Sequence, residues 1–373
     1  MGNARKERVY SEATRLLEAG VAGRVFPGAV ACLGWRDSGG MPVYVEACAG
    51  KLHDGGSAVE LRTPYDLASV TKPFVAMTAL RLVSSGALRL DAKAEDLVGD
   101  ARGGPGGAAT LEQLLTHRAG LAPWGGLYLD VPHEPGTSAA RRWIVSEASR
   151  RPEEGPSASK AAALYSDLGY IVAGEVVSRA AGLPLDRALA TLVTEPLGIA
   201  EEVYFAGALP SDRKAMLAKR AAPTERCDWR GRLVRGEVHD ENCAALGGVS
   251  GHAGLFGTAH GVAVFGRAML DARAGRSNFL PRDLVAQALA PRPGSSLRLG
   301  WDSKSAEGST AGKRLSAETF GHLGFTGTSI WCDPTRDLVV VLLTNRVNPS
   351  RANERIKGFR PAFHDAIVGA FDH

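Results

Sequence analysis

Cysteine is scarce in this 373-residue chain. Its five cysteines are an odd number with no CxxC spacing, which excludes a disulfide framework or a cysteine-built zinc site. Cys32, Cys48 and Cys332 lie in strand-like apolar runs and read as small buried thiols. No stretch reaches the ~18 consecutive apolar residues of a membrane-spanning helix. The opening segment MGNARKERVYSEATRLLEAG has no apolar h-region, and Lys6 stands where a myristoylation signal wants Ser or Thr. The chain therefore reads as cytoplasmic, with a periplasmic location only if its N-terminus has been trimmed. There is no dense Lys/Arg run, and the net charge is only +4, so nucleic acid is not expected as a partner. No internal repeat and no charge-rich, apolar-poor composition argues for a fibre or for disorder.

What is present is an ordinary globular balance, 45% apolar and 23% charged, with a surplus of glycine, 45 residues. Residues 1–20 have the spacing of an amphipathic helix, with Val9, Ala13, Leu16 and Leu17 on one face. Val25 to Trp35 and Val43 to Ala49 are β-rich and flank Asp37-Ser38-Gly39-Gly40, a hairpin signal. Tyr65 to Ser85 reads as an apolar helix. Thr110 caps a helix bearing Leu111, Leu114 and Leu115, and further helices are expected at Asp167 to Ala181 and Gly261 to Ala274. Strand texture returns from Gly321. Gly327 to Asp333 and Leu338 to Asn345 are runs separated by a turn, and Pro361 to Phe371 is a final helix.

Strands at both ends with helices between predict an α+β fold. One antiparallel sheet is built from residues 1–64 and 310–373 and flanked by the terminal helices. An inserted helical domain spans residues 65–309, with a site expected at the seam.

Three short motifs carry chemistry. Ser69-Val70-Thr71-Lys72 places a hydroxyl and an amine one helical turn apart. If burial lowers the amine's pKa, Lys72 can take the Ser69 proton. Alone, the pair is more often a solvated helix start. Tyr165-Ser166-Asp167 opens another helix. A phenol beside an ammonium can have its pKa lowered and accept a proton, or Tyr165 simply packs on the core while Ser166 or Asp167 caps the helix. Gly321-His322-Leu323-Gly324-Phe325-Thr326-Gly327 opens a strand on which a ligand backbone can approach closely, or forms a bulge with a surface histidine.

In this order and at these separations the three motifs resemble those of the serine β-lactamase and penicillin-binding-protein superfamily, most of all its class C, DD-peptidase and esterase branch. The segment LLTHRAGL (Leu114 to Leu121) and the glycine-rich stretch Gly247 to Gly257 are similar too. The resemblance implies a serine hydrolase with Ser69 as nucleophile and Lys72 and Tyr165 as proton carriers. It also implies an oxyanion hole from the N–H groups of Ser69 and Phe325 and substrate contacts from Asp167, His322 and Gly324. His252, between Gly251 and Ala253, is placed to reach the cleft, and no metal or cofactor is expected.

Two residues depart from the family pattern. Asp167 stands where class C enzymes carry Asn and offers only acceptors when ionised. His322 replaces a Lys that meets a substrate carboxylate. Both point away from efficient β-lactamase action and toward a peptide or amide bond of a D-amino-acid or muropeptide-type substrate. An esterase, a weak β-lactamase or a non-catalytic muropeptide-binding module on the same scaffold are the alternatives. The partner expected is a small-molecule or peptide substrate. The oligomeric state is open.

The segment Val238-His239-Asp240-Glu241-Asn242 is similar to one in muropeptide-processing amidases. Three consecutive residues diverge in direction, so it reads as a substrate-site or loop-bracing element rather than a metal site. His117 reads as a structural hydrogen-bonder. Trp124, Tyr128 and Trp301 are either pocket walls or satellite core.

Overall fold

The computed structural model describes residues 2–153 and 163–373. Its strands are β1 (Gly28–Arg36), β2 (Pro42–Gly50), β3 (Tyr65–Asp66), β4 (Val203–Phe205), β5 (Arg226–Cys227), β6 (Arg232–Leu233), β7 (Leu255–Gly257), β8 (Asp302–Ser303), β9 (Phe320–Leu323), β10 (Ser329–Asp333) and β11 (Leu338–Thr344). The main sheet runs β2-β1-β11-β10-β9-β8, antiparallel throughout, so the first hairpin pairs with the last strands, Ala31 opposite Leu342.

The sheet is covered on both faces, which is why β11 is apolar from Leu338 to Leu343. Side chains alternate with the two-residue period of a strand. Ala29, Ala31, Leu33, Val340 and Leu342 pack with Val9, Ala13 and Leu17 of the helix Gly2–Ala22 and with Phe363, Ile367 and Phe371 of the helix Ile356–Asp372. Val30, Cys32, Val339, Val341 and Leu343 meet Val262, Phe265 and Met269 of the helix Ala259–Arg273. That second core continues without a break into the helical lobe, through Phe74, Leu114, Tyr170 and Val176.

The structure differs from the sequence reading in three places. Helix Ala259–Arg273 and strand β8 fall inside the span 65–309, yet one roofs the main sheet and the other extends it. Tyr65 to Ser85 is not a single helix. Tyr65–Asp66 pairs with β7, Ala68–Val70 is a 3-10 turn, and the helix proper is Thr71–Ser84. The C-terminal helix begins at Ile356 and encloses Pro361, because apolar packing on the sheet outweighs the one backbone hydrogen bond that proline forfeits.

Candidate active site

Ser69 sits on the 3-10 turn between β3 and the helix Thr71–Ser84. The turn is built by its neighbours. Asp66 is buried, its Oδ1 accepting from Ala68 N–H at 2.8 Å and its Oδ2 from His239 N–H at 2.6 Å. Ala68 is held at φ +48°, a costly conformation for a residue with a Cβ. The Leu67 carbonyl accepts from Val70 N–H at 3.0 Å and from Thr328 Oγ1 at 2.9 Å, so the turn is tied to the β9–β10 loop.

Lys72 is wholly buried on the first turn of its helix. Its Nζ donates to Ser69 Oγ at 2.9 Å, to Asp167 Oδ1 at 2.6 Å and to the His252 carbonyl at 3.2 Å. Burial alone would lower its pKa, but the Asp167 carboxylate and Tyr165 outweigh it and hold the ammonium above its ordinary range. The condition that burial lowers the amine's pKa is therefore not met: Lys72 is held as the ammonium. Tyr165 likewise shows no lowering. It faces Lys72 and Ser69, with Lys72 Nζ 4.9 Å from its ring centroid, yet desolvation exceeds the pull of Lys72 and its phenol is raised.

Asp167 begins the helix Asp167–Ala181. Ser166 caps that helix, Oγ accepting from Gly169 N–H at 3.1 Å, and Ser166 N–H donates to His117 Nδ1 at 2.9 Å. His117 stacks on Tyr165, centroids 4.6 Å apart, and burial keeps its ring neutral. It is the structural hydrogen-bonder expected, and it orients the tyrosine. The 250–254 segment runs so close to this helix that a Cβ on Gly251 would lie 1.9 Å from the Tyr170 carbonyl. This approach aims the His252 carbonyl at Lys72. The His252 ring points elsewhere, to Ser250 Oγ at 2.8 Å and Asp240 Oδ1 at 2.7 Å, so the residue enters the site by its backbone rather than by the side chain anticipated.

His322 on β9 is buried. Burial first, then the Lys72 charge, pushes its pKa down to about 3, so the ring is neutral. Its Nδ1 donates to the Leu323 carbonyl at 2.8 Å, which leaves Nε2 as an acceptor. It stands 6.1 Å from Tyr165, ring to ring. Gly324 has no room for a side chain, since a Cβ would lie 2.0 Å from Thr328 Oγ1 and 2.5 Å from the Leu67 carbonyl. Among the described residues the backbone N–H groups of Ser69 and Phe325 donate to no internal acceptor. The structure thus gathers Ser69, Lys72, Tyr165 and Asp167 with His322 close by. Not every glycine of the surplus serves this pocket. Gly247 and Gly248 pack on the backbones of Gly136 and Gly207.

The segment His239–Asn242 braces the pocket wall. His239 Nε2 lies 3.0 Å from Glu225 Oε1 and its ring stacks on Phe325 at 5.6 Å. Glu225 is pushed down to about 2, burial being outweighed by His239 and Arg351. Asn242 bonds Tyr128 N–H at 3.0 Å and the Gly125 carbonyl at 2.7 Å. Among the described residues no group of three or more His, Cys, Asp or Glu side chains could hold a metal ion. Trp124 and Trp229 are exposed on either side of Tyr128 and form a rim with it, whereas Trp301 is core between Phe265 and Phe320. Asp66 and Trp229 carry no motif, and sequence reasoning passed over them.

A family model described as Beta-lactamase matches residues 13–359. The chain is 30% identical over 313 residues to a putative D-alanyl-D-alanine carboxypeptidase of Salmonella agona, covering 79% of this chain and 72% of that one. It is 32% identical over 317 residues to the N-acetylmuramyl-L-alanine amidase of Bacillus subtilis, covering 77% and 69%. Among solved structures, EstCE1, a hydrolase with promiscuous acyltransferase activity, superposes with a TM-score of 0.73 at 17% identity over 98% of this chain and 99% of that one, a likeness of fold.

Proposed function

This chain belongs to the Beta-lactamase family and is a serine hydrolase, and from that premise we propose that Ser69 is its nucleophile and that it acts through an acyl-enzyme on an amide or peptide bond of a D-amino-acid or muropeptide-type substrate. The observation that supports this most is the unbroken line Ser69 Oγ, Lys72 Nζ, Asp167 Oδ1, at 2.9 and 2.6 Å, with Tyr165 beside it.

In the active protonation state Lys72 has released its extra proton. Its amine then accepts the Ser69 proton as Oγ bonds to the substrate carbonyl carbon. The carbonyl π electrons move onto oxygen, and the Ser69 and Phe325 N–H groups receive that charge, each donor worth about 3–4 kcal/mol. As the tetrahedral species collapses, Tyr165 protonates the departing nitrogen and is reprotonated by Lys72. Water repeats the sequence on the ester and frees Ser69.

Because Asp167 is occupied by Lys72 and His322 is neutral, the pocket offers neither an amide donor at 167 nor a fixed cation at 322. This disfavours the carboxylate-bearing β-lactams. The neutral His322 and the exposed Trp124 and Trp229 favour an ester as the second reading.

A substrate panel tests the assignment: p-nitrophenyl esters, nitrocefin, D-Ala-D-Ala peptides and anhydro-muropeptides, with kcat/KM measured for each. Turnover of a peptide or muropeptide without a carboxylate beside the scissile bond should exceed that of nitrocefin by at least about 10²-fold, and D-Ala-D-Ala peptides, whose terminal carboxylate meets the same missing cation, should turn over more slowly than those. Nitrocefin as the best substrate would overturn it.

A further inference from the structure

Arg360 lies in the middle of the C-terminal helix, outside every motif, and is buried. It forms no ion pair with a carboxylate among the described residues, and the charge that acts on it is another cation, Arg346. A buried guanidinium without a carboxylate partner is costly, and hydrogen bonds to carbonyl oxygens offset only part of that cost. One arm of this one donates to the Gly324 carbonyl at 2.8 Å and to the Thr328 carbonyl at 2.8 Å. The Gly324 carbonyl belongs to the same peptide group as the Phe325 N–H.

We propose that Arg360 is a positioning residue that fixes and polarises the Gly324–Phe325 peptide so that its N–H is aimed at the oxyanion. The inference rests on the reading of Ser69 and Phe325 given above and deepens it.

A cation on the carbonyl oxygen draws electron density through the amide and strengthens the N–H on its far side as a donor, the cooperativity of linked hydrogen bonds. Arg346 acts on the next peptide, Nε donating to the Phe325 carbonyl at 2.9 Å while its guanidinium lies 4.5 Å from the Phe325 ring centroid. The peptide planes on both sides of the Phe325 Cα are therefore each gripped by a guanidinium. The loop is closed beneath them by Gly324 N–H to the Thr328 carbonyl at 2.7 Å and by Thr326 Oγ1 to the Asp66 carbonyl at 2.8 Å. Burial lowers Arg360 only to about 9, so it stays charged at neutral pH.

The test compares the full-length chain with Arg360→Met and Arg360→Lys. It measures kcat and KM on a p-nitrophenyl ester, the affinity for an alkyl boronic acid whose Ser69 adduct is tetrahedral, and the thermal midpoint of each protein. Arg360→Met should lose about 10²-fold in kcat, the cost of misplacing a reacting group by about 1 Å, with KM within threefold. Boronate affinity should fall in parallel. Arg360→Lys, which keeps the charge, should recover about tenfold at an equal thermal midpoint.

A kcat within threefold of the parent, a loss carried by KM, or an unchanged boronate affinity would overturn the proposal. Should Arg360→Met not fold, Arg360→Lys decides by the same rule: kcat and boronate affinity must fall together. Ser69→Ala run alongside separates the two levels. Turnover that survives in it removes the pocket reading and this inference with it, whereas a silent Arg360→Met in an enzyme that needs Ser69 removes the inference alone.

Discussion

Lys72→Met is expected to slow acylation of Ser69 by about 10³-fold, within the range that a positioned acid–base group contributes. Among the described residues Lys72 is the one cation bonded to Ser69, and Tyr165, its phenol raised by burial, is no substitute base near neutral pH. Methionine matches the length of the stem, so the pocket keeps its volume. The substitution also strands Asp167, whose side chain is 20% exposed and paired with Lys72 at 2.6 Å. A partly buried carboxylate without its partner destabilises the protein. Lys72→Met with Asp167→Asn should therefore recover the thermal stability lost by Lys72→Met while leaving acylation slow. That pattern separates chemistry from folding. Labelling by a fluorophosphonate under single-turnover conditions supplies the rate. A rate within tenfold of the parent would remove Lys72 from the mechanism.

The second large effect is one of pH. Asp167 is the strongest influence holding the Lys72 ammonium above its ordinary range, against burial that works to lower it. The base form of Lys72 is the deprotonated one. In the parent protein kcat/KM should therefore rise with pH toward the alkaline side. Asp167→Asn removes the raising charge and leaves burial opposed by Tyr165 and the His252 carbonyl. The rising limb should move to lower pH, and activity at neutral pH should grow. The same substitution supplies an N–H donor toward the acyl amide of a β-lactam, which is worth about tenfold in nitrocefin acylation at one hydrogen bond. A pH profile of kcat/KM from pH 5 to 10 checks both. An unmoved limb would show that Asp167 does not govern Lys72.

The linkage to stability runs the same way. A lysine raised in the folded state stabilises below its unfolded pKa, and that contribution is lost as pH climbs through the higher folded value. The parent should lose the Lys72–Asp167 contribution only in the alkaline range, and Asp167→Asn should lack that alkaline decline.

The motifs pointed to Ser69, Lys72, Tyr165, Asp167 and His322, which the fold gathers, because each motif is a short run whose neighbours in sequence are neighbours in space. The two-residue and helical periods likewise showed that both chain ends share a sheet. The protonation states were not legible. Whether burial or Asp167 prevails at Lys72 depends on a separation of 2.6 Å between residues 95 positions apart. The strand at Tyr65–Asp66 was hidden because two residues carry no period, and its partner Leu255–Gly257 is remote. His252 was expected to reach the cleft, yet only the fold shows its ring turned to Asp240 and its carbonyl to Lys72. Arg360 is invisible in sequence, since an arginine on an amphipathic helix ordinarily lies in solvent.

The acyl-enzyme itself is the central claim. Intact-mass and peptide-mapping measurements on protein quenched during turnover of its best substrate test it most directly. One acyl group per chain is expected, carried by Ser69 and absent from Ser69→Ala. An adduct mapped to any other residue, or undiminished turnover by Ser69→Ala, would contradict it.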